Sequence, residues 1–277
     1  MNPDGEPGQL SKDRVVRIAA MADIHCKRTS RGELRPVFSQ VPERADVLLL
    51  GGDLTDYGLP EEARILADEL ATTLERMPVL AVLGNHDFES AKADEVRRIL
   101  CDAGVILLDG NCYEFHGIGF TGVRGFAGGF HEHSLQPWGE EAIKQFVREA
   151  VSETLKLEAG LVKLESPQRI VLLHYSPIRA TVVGEPLEIF PFLGSSRLEE
   201  PINHFPVSHV FHGHAHRGTA RGITQTGVPV YNVAVPVLKR IQPDRPPFRV
   251  VEVTAAAILE QPSWQTRLPE PNQEDTG

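Results

Sequence analysis

Five short segments, each closing an apolar run, carry seven side chains of the kind that bind divalent cations. They are Asp23-Ile24-His25, Gly52-Asp53, Gly84-Asn85-His86-Asp87, His174 and Gly213-His214-Ala215-His216. The seven candidate ligands are Asp23, His25, Asp53, Asn85, His174, His214 and His216. Asp, Asn and His suit hard to borderline metals, and no thiolate is among them. Seven are too many for one tetrahedral ion and suit two ions that share a bridging carboxylate. Two ions about 3.5–4 Å apart form a recurring device for hydrolysing phosphate esters.

The runs that precede these segments read as buried strands: 15–22, 47–50, 79–83, 169–173 and 207–212. Between them the spacing predicts helices over 60–77, 91–103 and 139–164. In the first, Pro60 suits the opening turn, Glu61 and Glu62 complement the positive helix end, and Ala63, Leu66, Ala67, Leu70 and Leu74 mark one face. A short strand at 105–108 and two strands over 112–122, around a turn at His116-Gly117, follow the second helix. Residues 219–254 read as short strands. The pattern is βαβα followed by a β-rich half, an α/β fold with its candidate ligands where open α/β sheets place their sites, at strand carboxyl ends. One domain over 14–258 is expected, flanked by polar tails at 1–13 and 259–277.

The order and spacing of D-x-H, G-D, G-N-H-D, H and G-H-x-H resemble the signature of the calcineurin-like metallophosphoesterase superfamily across roughly residues 15–255. The resemblance implies a four-layer αββα sandwich with two mixed β-sheets. It implies that Asp23, His25 and His216 hold one metal, that Asn85, His174 and His214 hold the other, and that Asp53 bridges them. It implies that His86 meets the phosphate or leaving group, with Asp87 available to fix its tautomer, and that a metal-bridging hydroxide attacks phosphorus directly. Mn²⁺ or Fe suits the sulfur-free ligands, and Zn²⁺ is compatible. In Asp23-x-His25 and His214-x-His216, positions i and i+2 of extended backbone would point the same way.

Protein serine/threonine phosphatases share this superfamily's core but carry an Arg after the second motif's GDxxD and another before GNH. Here Tyr57 and Leu83 stand at those places. The set looks more like bacterial phosphodiesterase branches, which points to a phosphodiester or nucleotide-like phosphate ester. A phosphomonoesterase or protein phosphatase, and a non-catalytic metal-binding scaffold, are the alternatives.

Other residues are candidates for substrate contact. The Gly-rich stretch 124–138 holds Arg124, Phe126, Phe130, His131, His133 and Trp138, and is expected to border the site as a mobile loop. Arg124 and Arg217 suit bidentate phosphate contact. His116, His204, His209 and His212 read as structural. The formal charge of −10, from 38 acidic against 28 basic side chains, argues against a nucleic-acid groove but not against a phosphate ester, since cations invert the local field. Three widely spaced cysteines, Cys26, Cys101 and Cys112, suit a reducing compartment. No apolar run approaches the ~20 residues of a membrane span, and the first residues lack a signal-peptide core, so a cytoplasmic location is expected.

Overall fold

The computed structural model describes residues 14–255. The expected tails lie outside the described residues. The described residues build two mixed sheets. The first contains β1 (Arg14–Met21), β2 (Val47–Gly51), β3 (Val79–Val82), β4 (Ile106–Leu107) and β11 (Arg249–Ala255), in the order β11-β1-β2-β3-β4. The second contains β5 (Cys112–Phe115), β6 (Ile118–Val123), β7 (Gln168–Leu173), β8 (Val207–His212), β9 (Arg221–Ile223) and β10 (Pro229–Asn232), in the order β5-β6-β7-β8-β10-β9. Interior strands run parallel in both sheets, and β11, β5 and β9 close edges antiparallel.

The layering follows from side-chain alternation. In the second sheet Ile118, Phe120, Ile170, Leu172, Phe211 and Tyr231 join the core of the first sheet. Their alternates Val123, Val171, Leu173, Val210 and Val230 join a second core with Leu157 and Leu161 of α4 (Glu141–Lys163). On the other side, the short α1 (Arg35–Phe38) with α2 (Pro60–Leu74) and α3 (Ala93–Asp102) cover the first sheet with Phe38, Ala63, Leu66, Leu70, Val96 and Leu100. A two-residue period on strands and a helical stripe on their covers make an αββα stack.

The predicted long elements occur within a few residues of their expected bounds. Helix α2 begins where Pro60 predicted, and Glu62 accepts hydrogen bonds from the Leu59 and Tyr57 N–H groups at its start. The region 219–254 departs from its expectation. Its Val-rich stretch Val235–Ile241 is a helix, α7, between β10 and β11. Pro236 in the first turn was the available signal; β-branched residues masked it. Short turns of helix also fill 179–204, including α5 (Phe190–Leu193) and α6 (Glu199–His204).

Candidate metal centre

The carboxyl ends of β1, β2, β3, β7 and β8 meet where the two sheets abut, and backbone bonds stitch them. Gly213 N–H donates to His174 O at 3.1 Å, Asp23 N–H to Gly52 O at 3.0 Å, and Ala22 N–H to Val233 O at 2.9 Å. Among the described residues three candidate groups of ligand-type side chains result: Asp23, His25 and His216; Asp53, His174 and His214; and His25, Asp56 and His86.

Asp53 stands between the first two groups. Its Oδ2 lies 3.8 Å from His25 Nε2, and its Oδ1 lies 3.4 Å from His174 Nε2. One carboxylate thus faces both triads, as a bridge requires. Asn85 Oδ1 lies 2.9 Å from His174 Nε2, beside the second triad. Asp23 Oδ1 lies 2.8 Å from His216 Nε2, and both its oxygens accept from the His214 N–H at 3.0 Å.

The residues fit metal ions on two independent observations. Both ring nitrogens of His25 are buried with no hydrogen-bond partner among the described residues, which is costly unless a further group engages them. Two other candidate ligands each commit one ring nitrogen to a backbone carbonyl: His174 Nδ1 to Gly51 O at 2.9 Å, and His214 Nε2 to Phe192 O at 3.1 Å. A carbonyl only accepts, so that nitrogen carries the proton and the opposite one presents a lone pair. Metal-ligating histidines are oriented in this way.

Burial sets the charge states. It drives His214 down to about 3, with the nearby His174 adding to the effect, and it lowers His25 against the pull of Asp53 and Asp23. Neutral imidazole is the ligating form. Burial works against the charge on Asp23, but the His216 bond and the neighbouring histidines outweigh it and hold the acid at about 2.

The convergence has a different backbone origin from the one expected. Asp23, His25, Asp53 and His214 have φ of 58°, 48°, 48° and 67°. The D-x-H segment is therefore no extended strand with alternating side chains; left-handed turns swing both residues inward. Such conformations cost of order 1–3 kcal/mol each and cluster at functional sites. Two glycines make room for them. A Cβ on Gly84 would strike the backbone nitrogen and Oδ1 of Asp53, and one on Gly213 would strike Oδ2 of Asp23.

Asp87 does not fix the His86 tautomer. Its fully buried carboxylate accepts from Leu54 N–H at 3.2 Å, Thr55 N–H at 2.8 Å, Thr55 Oγ1 at 2.6 Å and Gly84 N–H at 2.8 Å. It clasps the Asp53 loop to the Asn85 loop. Burial and the Asp53 charge push its pKa up to about 6 against those donors. The carbonyl of Asp56 takes the place expected for Asp87 at His86 Nδ1.

Asp56 is the residue that sequence reasoning missed. Its carboxylate lies 3.5 Å from His25 Nδ1 while its carbonyl holds His86. Its position three residues after Asp53, closing the G-D-x-x-D string, was the signal. Tyr175 was missed as well; its ring lies 4.4 Å from that of His214, and burial raises its hydroxyl to about 12.

The substrate-contact candidates divide. Arg124 is committed: it pairs with Glu149 at 2.5 Å, packs over the rings of Phe88 and Phe126, and lends its carbonyl to the His174 and Tyr175 N–H groups. A paired guanidinium packed in this way is not free for phosphate. Arg217 is exposed beside His216, with its N–H on Glu185. Phe130 is buried with Val182, Phe190, Leu193 and Ala215, the last lying between His214 and His216. It packs against the residue between the two motif histidines and also lines a small cavity with Arg179 and Phe190. His131 and His133 are exposed, and His131 opens onto a polar cleft with Ser134, Gln136, Ser196 and Arg197. The 124–138 segment therefore adjoins the site, but through Phe130 and Arg124 as supports. His116 and His204 are exposed, His209 stacks on Tyr231, and His212 is buried between Thr181 Oγ1 and Gly213 O.

Solved structures of the same fold include a phosphopantetheinyl hydrolase from Mycobacterium tuberculosis, 16% identical over 84% of this chain and 95% of that one, with a TM-score of 0.59. A protein from Thermus thermophilus is 15% identical over 88% and 100% of the two chains, TM-score 0.52. A structure of PhoD is 10% identical over 90% and 66%, TM-score 0.51. Comparison with curated proteins found no match. The sequence profile of the calcineurin-like phosphoesterase family matches residues 16–218, a span that contains all seven ligand-type residues, and the chain belongs to that family of phosphoric ester hydrolases.

Proposed function

We propose that the protein is a dinuclear metal-dependent phosphodiesterase. The observation that carries the reading is Asp53, whose two oxygens face His25 and His174 from one buried carboxylate. Asp23, His25, His216 and Asp53 would hold one cation, and Asn85, His174, His214 and Asp53 the other. Two such cations supply Lewis acidity, an activated water and neutralisation of the phosphoryl charge. Mn²⁺ or Fe, with Zn²⁺ compatible, matches the sulfur-free donors.

The chain's own residues do the rest. His86, with Nδ1–H tied to the Asp56 carbonyl, presents Nε2 to the substrate, where its protonated form donates to the departing oxygen. The oxygen of water bonds to phosphorus as water gives up one proton, the P–O ester bond breaks, the leaving oxygen takes the proton donated by His86, and the proton released by water restores His86. Asp87 is a positioning residue for the loops of Asp53 and Asn85, and Asp56 for His25 and His86.

The diester preference rests on cationic supply. A phosphomonoester carries a second negative charge, and of the candidate arginine positions that would hold it only Arg217 stands open beside the site. Tyr57 and Leu83 stand at two positions, and Arg124 is paired with Glu149. Diesters are monoanionic and need fewer donors. The test is hydrolysis by protein reconstituted with Mn²⁺: bis(p-nitrophenyl) phosphate should be cleaved with a higher kcat/KM than p-nitrophenyl phosphate and phosphopeptides. Efficient phosphate release from the monoesters, with no diester cleavage, would refute the assignment.

Among the described residues no helix is long and apolar enough to cross a membrane, and Cys26, Cys101 and Cys112 are free thiols. The thiols support a reducing, cytoplasmic location as part of this proposal.

A further inference from the structure

An apolar cleft of about 490 Å³ lies beside the metal centre, walled by Leu135, Trp138, Ile143, Phe146, Pro191 and Phe192. Phe192 belongs to both places. Its carbonyl receives the His214 ring N–H at 3.1 Å, and its side chain lines the cleft. A second path runs back through rings: Phe192 to Phe146 at 6.5 Å, Phe146 to Phe126 at 5.0 Å, Phe126 to Tyr175 at 5.8 Å, and Tyr175 to His214 at 4.4 Å. Phe192 and the packed rings behind it thus tie one wall of the cleft to His214 of the second triad.

Two of its walls are unusually wet. Trp138 is 63% exposed and Phe192 57% exposed. Large apolar groups left in water beside a catalytic centre mark a surface that a ligand covers. The volume lies within the range of small-molecule pockets. Among the described residues the walls carry no Lys or Arg for a second phosphate, and the polar residues Glu132, His133 and Ser134 complete the lining.

We propose that this cleft receives an apolar chain carried by one ester group of the substrate, which makes the preferred substrate an alkyl- or acyl-bearing phosphodiester. The inference rests on the phosphodiesterase reading and specifies its substrate class.

The test is a series of p-nitrophenyl alkyl phosphodiesters, methyl, butyl and octyl, with Mn²⁺-reconstituted full-length protein below the micellar range. Each buried methylene is worth about fourfold, so kcat/KM should climb at least tenfold from methyl to octyl. The octyl-to-methyl ratio should collapse toward unity in Ile143→Asp, and also in Trp138→Ser, a surface change that spares the core. Equal rates across the wild-type series, or a ratio that survives both substitutions, would overturn this inference alone. Failure to cleave any member, methyl included, would overturn the phosphodiesterase reading and the inference with it.

Discussion

Replacing Asp87 by Asn separates a positioning role from a chemical one. The native carboxylate serves four donors, Leu54 and Gly84 N–H through Oδ2, and Thr55 N–H and Oγ1 through Oδ1. An amide has one acceptor oxygen. Its cheaper orientation keeps that oxygen on Leu54 and Gly84 and turns the NH₂ toward Thr55, whose hydroxyl can rotate to accept. The Thr55 N–H is then buried without a partner, at about 1–3 kcal/mol, and two charge-assisted bonds become neutral at about 1 kcal/mol each. Relief of the buried charge beside Asp53 offsets part of this. The net loss is roughly 2–4 kcal/mol, or a fall in Tm of about 5–10 °C for a chain of this size. Thermal unfolding of metal-free protein reads it directly, without stabilisation from bound ions. An Asp87→Asn variant that melts within about 2 °C of wild type, yet loses a hundredfold or more in kcat with Mn²⁺ bound, would refute the positioning argument and return Asp87 to the chemistry.

Three further outcomes follow from the same geometry. His86→Ala should retain both metals while kcat falls about 10²–10⁴-fold; elemental analysis beside turnover checks this, and loss of an ion would make His86 a ligand. Gly84→Ala places a Cβ on Asp53 with no flexible neighbour to yield, so metal binding and activity should both fail, with equilibrium dialysis against Mn²⁺ as the readout. Glu69, inside α2, accepts from Gly32, Leu34 and Arg35 N–H, and these donors outweigh burial to hold its carboxyl below the ordinary range. A depressed acid stabilises the fold above its unfolded value, about pH 4.3, and loses that contribution as pH falls through the folded one. The stability gap between wild type and Glu69→Gln should be full at pH 7 and shrink below about pH 4; a gap that is flat with pH would count against it.

Much of this fold was legible because its signals are local. Apolar runs of four to eight residues ending in Gly, Asp or His marked the strands, and Pro60 with two glutamates marked a helix start. The seven ligand-type residues were legible because their chemistry is uncommon in that order. What was hidden depends on tertiary contact. The left-handed backbone at Asp23, His25, Asp53 and His214 is imposed by packing at the sheet junction, since non-glycine residues do not choose it alone. The role of Asp87 is fixed by four donors, three of which lie more than thirty positions upstream. Arg124 looked like a phosphate clamp until Glu149, twenty-five positions away, was seen to hold it. The helix at Val235–Ile241 was hidden because its Val and Ile residues give it the composition of a strand.

The central claim is that one carboxylate joins two metal sites. The most direct measurement is a crystal structure of the Mn²⁺-saturated protein with anomalous data collected at the manganese edge. The account predicts two anomalous peaks about 3.5–4 Å apart, with Asp53 in contact with both, one ringed by Asp23, His25 and His216 and the other by Asn85, His174 and His214. A single peak at saturating metal, or two peaks that do not share Asp53, would contradict it.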